Sequence, residues 1–154
     1  MSWQEELKNN VTTISELAKY IPFESSEIEK LESIVKDFPM SIPRYYLSLI
    51  DPNDPNDPIR KMSLPALEEL DDAGMWDTSG EASNTKTEGL QHKYRQTSLI
   101  LSTSKCAMYC RHCFRKRLVG TSDEEVAKTF APILAYIKVH PEINNVLISG
   151  GDSF

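Results

Sequence analysis

The first third of the chain has apolar residues at helical spacing. In its clearest segment the separations of 3, 4 and 7 residues place the apolar side chains on one helix face. These side chains are Ile28, Leu31, Ile34, Val35 and Phe38. Ser25 or Ser26 can cap this helix, and Thr12 or Thr13 can cap a shorter helix before it. The pattern predicts an N-terminal helical region over residues 1–50, whose simplest role is packing.

Residues 51–89 interrupt this periodicity. Asp51, Asp54 and Asp57 each precede a proline and are therefore disfavoured in the α conformation. The carboxylates suggest calcium, but the ligand spacing of an EF-hand and its closing glutamate are absent. A turn-rich connector is therefore the favoured interpretation. One helical turn over 65–70 and a long irregular surface segment complete this predicted region.

The second half of the chain combines short apolar runs with a helical pattern. Residues 98–102 and 145–149 are apolar runs beside turn-forming residues and predict strands. Between them, Asp123 is placed as the N-cap of a helix that Pro132 should kink or break. The side chains expected to face inward are Val126, Phe130, Ile133, Leu134 and Ile137. The order predicts a βαβ unit with parallel strands within residues 90–154, where ligands bind at the carboxyl ends of the strands.

Composition and charge narrow the class of protein. The 17 basic and 23 acidic residues give a net charge of −6, which disfavours nucleic acid as a partner because phosphate binding requires a basic face. No apolar run approaches the ~20 residues of a membrane span. The first residues of the chain also lack the apolar core of a signal peptide. We therefore expect a cytoplasmic protein without nucleic-acid or membrane partners.

The three cysteines of the chain are close together in the sequence. Cys106, Cys110 and Cys113 have the spacing C-x3-C-x2-C directly after the first predicted strand. In a cytoplasmic chain such a cluster indicates metal binding or catalysis rather than disulfides. A closed zinc site needs four protein ligands and would have to recruit His112 or His92. An iron–sulfur cluster held by three thiolates instead leaves one iron open to an external ligand.

The cysteine motif after a strand resembles the signature of the radical S-adenosylmethionine superfamily, with His112 at the aromatic position. Further matching residues follow the order of the lysine 2,3-aminomutase family. They lie at residues 3–4, 51–61, 89–94, 106–117 and 149–152. The chain thus resembles this family over nearly its whole length, although Phe114 stands where the family more usually has threonine.

The resemblance implies a fold and a set of site residues. The fold would be α/β, with the N-terminal helical layer followed by the first βαβ portion of a partial (β/α)6 TIM-like barrel, here truncated. The ligands of a [4Fe–4S] cluster would be Cys106, Cys110 and Cys113. The residues binding S-adenosylmethionine would be His112, Gly150, Gly151 and Asp152. Arg115 would pair with the carboxylate of the substrate.

The resemblance also implies a reaction. It is the 1,2-migration of the amino group of a small-molecule amino acid, through a 5′-deoxyadenosyl radical and pyridoxal phosphate. Flavodoxin or ferredoxin would donate electrons, and the full-length form is a possible homo-oligomer. The lysine that binds pyridoxal phosphate has no counterpart here, so we expect an incomplete chain that keeps the cluster loop but has impaired turnover. The competing interpretations are a zinc-binding structural module and an inert fragment.

Overall fold

The computed structural model describes residues 2–71 and 73–153. The chain divides into two compact units. The first contains the residues up to Ala73 together with Ala107–Lys116, and the second contains Gly74–Cys106 together with the residues from Arg117 onward. The chain therefore leaves the second unit directly after Cys106 and returns to it at Arg117.

The first unit is built from short helices. They are α1 (Trp3–Lys8), α2 (Ile14–Leu17), α3 (Ser25–Asp37), α4 (Arg44–Leu49), α5 (Pro58–Ser63) and a 3-10 helix (Leu67–Leu70). The Thr13 hydroxyl accepts a hydrogen bond from the Glu16 N–H at 3.2 Å, which confirms one of the two predicted caps of α2. The predicted caps of α3 are wrong, because Ser25 is already helical and Glu24 is the N-cap.

The core of this unit lies under one face of α3. Leu31 and Ile34 are buried, and the other apolar residues predicted for this face pack against the core. The buried set is Val11, Ile14, Leu17, Ile21, Leu31, Ile34, Met40, Ile42, Leu47, Ile50 and Leu64. Val11 and Ile42 also exchange backbone hydrogen bonds of 2.8 and 3.0 Å. Each such side chain stabilises the unit by about 1.5–3 kcal/mol when fully buried.

The aspartate-rich stretch forms turns, as predicted. Asp51 and Asp54 each accept a hydrogen bond from the backbone N–H two residues ahead, at 2.9 and 2.8 Å. Asp57 caps α5 by accepting from the Arg60 N–H at 2.7 Å. These three carboxylates thus accept hydrogen bonds from nearby backbone N–H groups.

The second unit contains one mixed sheet. Among the described residues its strands are β1 (Thr85–Thr87), β2 (Leu90–Tyr94), β3 (Thr97–Thr103) and β4 (Asn145–Gly150), in the order β1-β2-β3-β4. β3 and β4 are parallel, which confirms both predicted strands and their direction. The antiparallel pairs of β1 with β2 and of β2 with β3 were absent from the prediction, as was α6 (Glu81–Asn84). The partial barrel stays a prediction.

The connection between β3 and β4 differs from the prediction. The helix begins at Ala131, as α7 (Ala131–Lys138), and not at Asp123. The Asp123 carboxylate instead accepts a hydrogen bond from the Ser104 hydroxyl. Pro132 lies in the first turn of α7, where its missing N–H leaves no helical hydrogen bond unmade.

Only part of the predicted inward face is buried. Ile133 is fully buried and packs with Leu90 and Ile100, whereas Phe130 and Leu134 are 52% and 55% exposed. The inward prediction is therefore wrong for Phe130 and Leu134. In residues 2–71 and 73–153, no helix has both the length and the apolarity needed to cross a membrane.

Candidate cofactor site at the cysteine motif

In the second unit, the chain after β4 packs on the chain leading to Cys106. Thr103 lies opposite Gly150 at the carboxyl ends of β3 and β4. The Gly151 N–H donates to the Thr103 carbonyl at 2.6 Å, and the Asp152 N–H donates to the Lys105 carbonyl at 2.7 Å. The turn after β4 is therefore fixed against the segment that ends in the first cysteine.

This close approach requires glycine at two consecutive positions. A Cβ atom on Gly150 would lie 2.2 Å from the Thr103 oxygen, and φ of Gly150 is +147°. A Cβ on Gly151 would lie 2.2 Å from the Lys105 oxygen and 3.0 Å from the Cys106 sulfur. Glycine permits both backbone contacts. Of the predicted S-adenosylmethionine residues, Gly150 thus packs on Thr103, and Gly151 packs on Lys105 beside the Cys106 sulfur.

Serine hydroxyls tie the same turn to β3. The Ser102 hydroxyl donates to the Ser149 carbonyl and lies 3.0 Å from the Ser153 hydroxyl. Asp152, between these residues, has an exposed side chain. The second unit thus presents an exposed carboxylate next to a backbone turn that is fixed on both sides.

In the first unit, residues 107–116 are attached to segments far away in the sequence. The Tyr109 N–H donates to the Ser41 carbonyl at 3.0 Å, and the Arg111 N–H donates to the Met62 carbonyl at 2.8 Å. The Asn10 amide donates to the Ala107 carbonyl at 2.9 Å. The N-terminal helical unit therefore does more than pack, because it anchors the backbone that carries two of the three cysteines.

The strongest anchor is the Arg111 side chain. Its Nε and Nη2 donate to the two carboxylate oxygens of Glu69 at 3.0 and 2.7 Å. Its Nη1 donates to the carbonyls of Phe38 and Pro39, both at 3.1 Å. Neither Glu69 nor these carbonyls carried a sequence signal, since they lie 42 or more residues away from Arg111.

Cys110 and Cys113 lie in a tight turn of this segment. The Cys113 N–H donates to the Cys110 carbonyl at 3.2 Å, and both side chains are half-buried. Burial, followed by the proximity of Cys113, raises the pKa of the Cys110 thiol. His112, between them, is exposed. Metal binding at this turn would have to displace the thiol protons, because the thiolate is the ligand form.

The basic residues after the motif differ in their surroundings. Arg115 is only 4% exposed, and its guanidinium carbon lies 4.6 Å from the centre of the Phe114 ring. Lys116 pairs with Glu69. Arg117, in the second unit, forms a bidentate pair with Glu125 at 2.9 and 2.6 Å. The run Arg115 to Arg117 is therefore not a solvated charge patch.

Both ring nitrogens of His92 lie within hydrogen-bond distance of groups in the second unit. Its Nδ1 lies 3.0 Å from the Tyr136 hydroxyl and its Nε2 lies 3.2 Å from the Arg95 carbonyl. A zinc ion would have to break one of these hydrogen bonds to recruit His92. This arrangement disfavours His92 as a fourth zinc ligand.

The donor types fit an iron–sulfur cluster. Cys106, Cys110 and Cys113 are all half-buried, and cysteine thiolate is the usual ligand of such clusters. A Cβ atom on Gly151 would lie 3.0 Å from the Cys106 sulfur, so glycine at this position adds no side chain of its own next to the sulfur. Within the described part of the chain, however, no group of three or more His, Cys, Asp or Glu side chains is arranged to hold a metal ion.

Comparison with known proteins identifies the family. No family model matches the chain. It is 42% identical to L-lysine 2,3-aminomutase of Clostridium subterminale, over 98% of this chain and 37% of that protein. It is 37% identical to L-lysine 2,3-aminomutase of Bacillus subtilis, over 97% of this chain and 32% of that protein. Glutamate 2,3-aminomutase of Clostridioides difficile is also 37% identical, over 98% of this chain and 36% of that protein.

These alignments cover nearly all of this chain but only part of each relative. The chain spans about a third of the length of the curated relatives that it matches. The names of these relatives agree with the resemblance found in the sequence motifs. The chain belongs to the lysine 2,3-aminomutase family.

Proposed function

We propose that this chain carries the part of an aminomutase that binds a [4Fe–4S] cluster and S-adenosylmethionine. The whole protein would move an amino group between neighbouring carbons of a small-molecule amino acid, as the names of the lysine and glutamate relatives suggest. The observation that carries the proposal is the packing of Gly150 on the Thr103 backbone and of Gly151 on the Lys105 backbone, beside the Cys106 sulfur. A plain surface turn has no need for two consecutive glycines packed on neighbouring backbone, one of them beside a cysteine sulfur.

The cluster would be held by the thiolates of Cys106, Cys110 and Cys113. When bound, the cluster and S-adenosylmethionine supply one-electron chemistry, which side chains alone do not provide. The protein residues would supply orientation and exclusion of water. No lysine of this chain matches the pyridoxal phosphate site by motif, so no residue is assigned to that cofactor.

Four residues would contact S-adenosylmethionine. The exposed Asp152 carboxylate can accept hydrogen bonds from the ammonium group of its methionine part. Gly150 and Gly151 would allow close approach of the backbone. His112 is exposed beside the cysteine turn and would contact the same ligand. These contacts orient the ligand and leave its chemistry to the cofactors.

Arg115 would pair with the carboxylate of the amino-acid substrate. Its planar guanidinium suits bidentate pairing with a carboxylate, and contact with the Phe114 ring restricts its orientation. The remaining partners in the proposal are a protein electron donor such as flavodoxin or ferredoxin and, in the full-length form, a second copy of the protein. The electron donor is needed because one-electron chemistry requires an external source of electrons.

Anaerobic reconstitution of the 154-residue chain tests the proposal. The chain is incubated with iron and sulfide, and bound iron, sulfide and the EPR spectrum of the reduced sample are measured. We expect about four irons per chain and a spectrum that changes when S-adenosylmethionine is added. Asp152→Asn should keep the iron content but weaken the effect of S-adenosylmethionine. Cys106→Ser should lower the iron content itself.

The alternatives give different results. Tightly bound zinc with no iron uptake would support a structural zinc module. A chain that takes up neither metal would support an inert fragment. A cluster whose spectrum ignores S-adenosylmethionine would overturn the assignment of Gly150, Gly151 and Asp152.

A further inference from the structure

Glu69 is the acidic centre of a small ion-pair cluster beneath the cysteine turn. It lies in the 3-10 helix Leu67–Leu70 of the first unit. Its carboxylate accepts two hydrogen bonds from Arg111 and pairs with Lys116. Arg111 lies between Cys110 and Cys113, and Lys116 follows the second of them. Glu69 thus holds the turn from both sides.

The cluster is well shielded from water. The side chains of Arg111 and Glu69 are 6% and 12% exposed, and that of Lys116 is 24% exposed. A buried charge that loses its partner is strongly destabilised, whereas an exposed one is rehydrated. Loss of the Glu69 carboxylate would therefore leave the buried Arg111 guanidinium without its charged acceptor and with the neutral carbonyls of Phe38 and Pro39.

We propose that Glu69 is a positioning residue that fixes the Cys110–Cys113 turn through the Arg111 guanidinium. The main-chain bonds of Tyr109 and Arg111 hold the same turn at its backbone, and Glu69 holds it through a side chain. The relevance of this arrangement to an iron–sulfur cluster rests on the proposed function. The claim that Glu69 fixes the turn does not depend on the proposed function, and it can be measured in the metal-free chain.

Amide hydrogen exchange followed by mass spectrometry measures the turn directly. In the metal-free Glu69→Gln variant, we expect exchange of the peptide covering 107–116 to be at least about fivefold faster, because Arg111 loses a charged acceptor. Exchange in α3 and in β3 should stay at its wild-type rate. The matched control is Glu81→Gln, since Glu81 is also buried and accepts from Arg117 at 2.8 Å, but in the second unit.

A second variant tests whether Glu69 acts through Arg111. Arg111→Met removes the guanidinium and keeps an unbranched side chain of similar length. It should accelerate the same peptide, and the acceleration in the double variant should be smaller than the product of the two single effects, because both changes remove the Arg111–Glu69 interaction and only Glu69→Gln removes the Glu69–Lys116 pair. Additive effects would overturn the proposed route. Wild-type exchange in Glu69→Gln, or equal acceleration in α3 and 107–116, would overturn the positioning role.

The iron–sulfur cluster of the proposed function allows an independent measurement of the role of Glu69. After reconstitution, iron release to a chelator should be about 10-fold faster from Glu69→Gln than from the wild-type chain or Glu81→Gln, as for other residues that support metal ligands. Equal release rates would overturn the role of Glu69 in cluster binding. If the wild-type chain takes up no cluster, the proposed function fails, while the exchange experiment still decides whether Glu69 fixes the turn.

Discussion

Replacing Gly151 by alanine tests the contact between the turn after β4 and the cysteine segment. The outcome is informative because two effects oppose each other. Alanine restricts the unfolded chain, which stabilises a protein by about 0.4–1 kcal/mol where the folded backbone has room for the methyl group. A methyl group forced into a filled space destabilises it by about 1–3 kcal/mol.

The packing around Gly151 decides which of these two effects on stability is larger. The new Cβ would lie 2.2 Å from the Lys105 oxygen and 2.7 Å from its carbonyl carbon, both of which are backbone atoms. Backbone atoms cannot rotate away as the end of a flexible side chain can. We therefore expect Gly151→Ala to lower the free energy of unfolding by about 1–3 kcal/mol. For a chain of this size the melting temperature should fall by about 2–4 °C for each kcal/mol.

Urea unfolding followed by circular dichroism measures the change, with thermal unfolding as a second probe. Lys105→Ala is the matched control, because the Lys105 side chain is exposed and its carbonyl is retained; it should change stability by less than about 0.5 kcal/mol. Gly89→Ala serves as the positive control, since its Cβ would lie 2.4 Å from the Ala127 backbone. An unchanged or more stable Gly151→Ala protein would refute the close packing beside Cys106.

Two further predictions concern the pH dependence and the core. Burial alone raises the pKa of Glu69, but hydrogen bonds from Arg111 and Lys116 outweigh it, so the pKa lies below its ordinary value of 4.5. This contribution to stability should be complete above pH 4.5 and lost as the pH falls through the lowered pKa, and urea midpoints of the wild-type chain and Glu69→Gln should converge there. Ile133→Ala should cost about 2–5 kcal/mol and Leu134→Ala less than about 0.5 kcal/mol, measured by urea unfolding; equal costs would contradict the orientation of α7.

Strong local patterns predicted the elements that need only local information. The strands at 98–102 and 145–149 are apolar runs beside turn-forming residues, and both form strands that pair in parallel. The face of α3 was also predictable, because helical spacing alone places Leu31 and Ile34 together. In these segments burial and intrinsic preference favour the same structure.

The wrong predictions lie where contacts with residues distant in the sequence outweighed the preference of the local sequence. Aspartate is a favourable N-cap residue, but the Asp123 carboxylate accepts a hydrogen bond from the Ser104 hydroxyl. The helix begins at Ala131, eight residues after Asp123. The sequence of β2 gave no apolar signal because Gln91 and its neighbours are polar. The strand forms because these residues pair with β3. Such pairing is decided by residues outside the window that a local pattern covers.

The site shows the same division between local and distant information. The cysteine spacing and the two glycines were visible in the sequence, since each depends on a few neighbouring residues. The anchors of the cysteine turn were not visible, because Ser41, Met62 and Glu69 have no motif of their own. Folding of the N-terminal unit is therefore required to order the Cys110–Cys113 turn. A cysteine motif removed from this unit would keep its ligand types but lose the contacts that hold two of them in place.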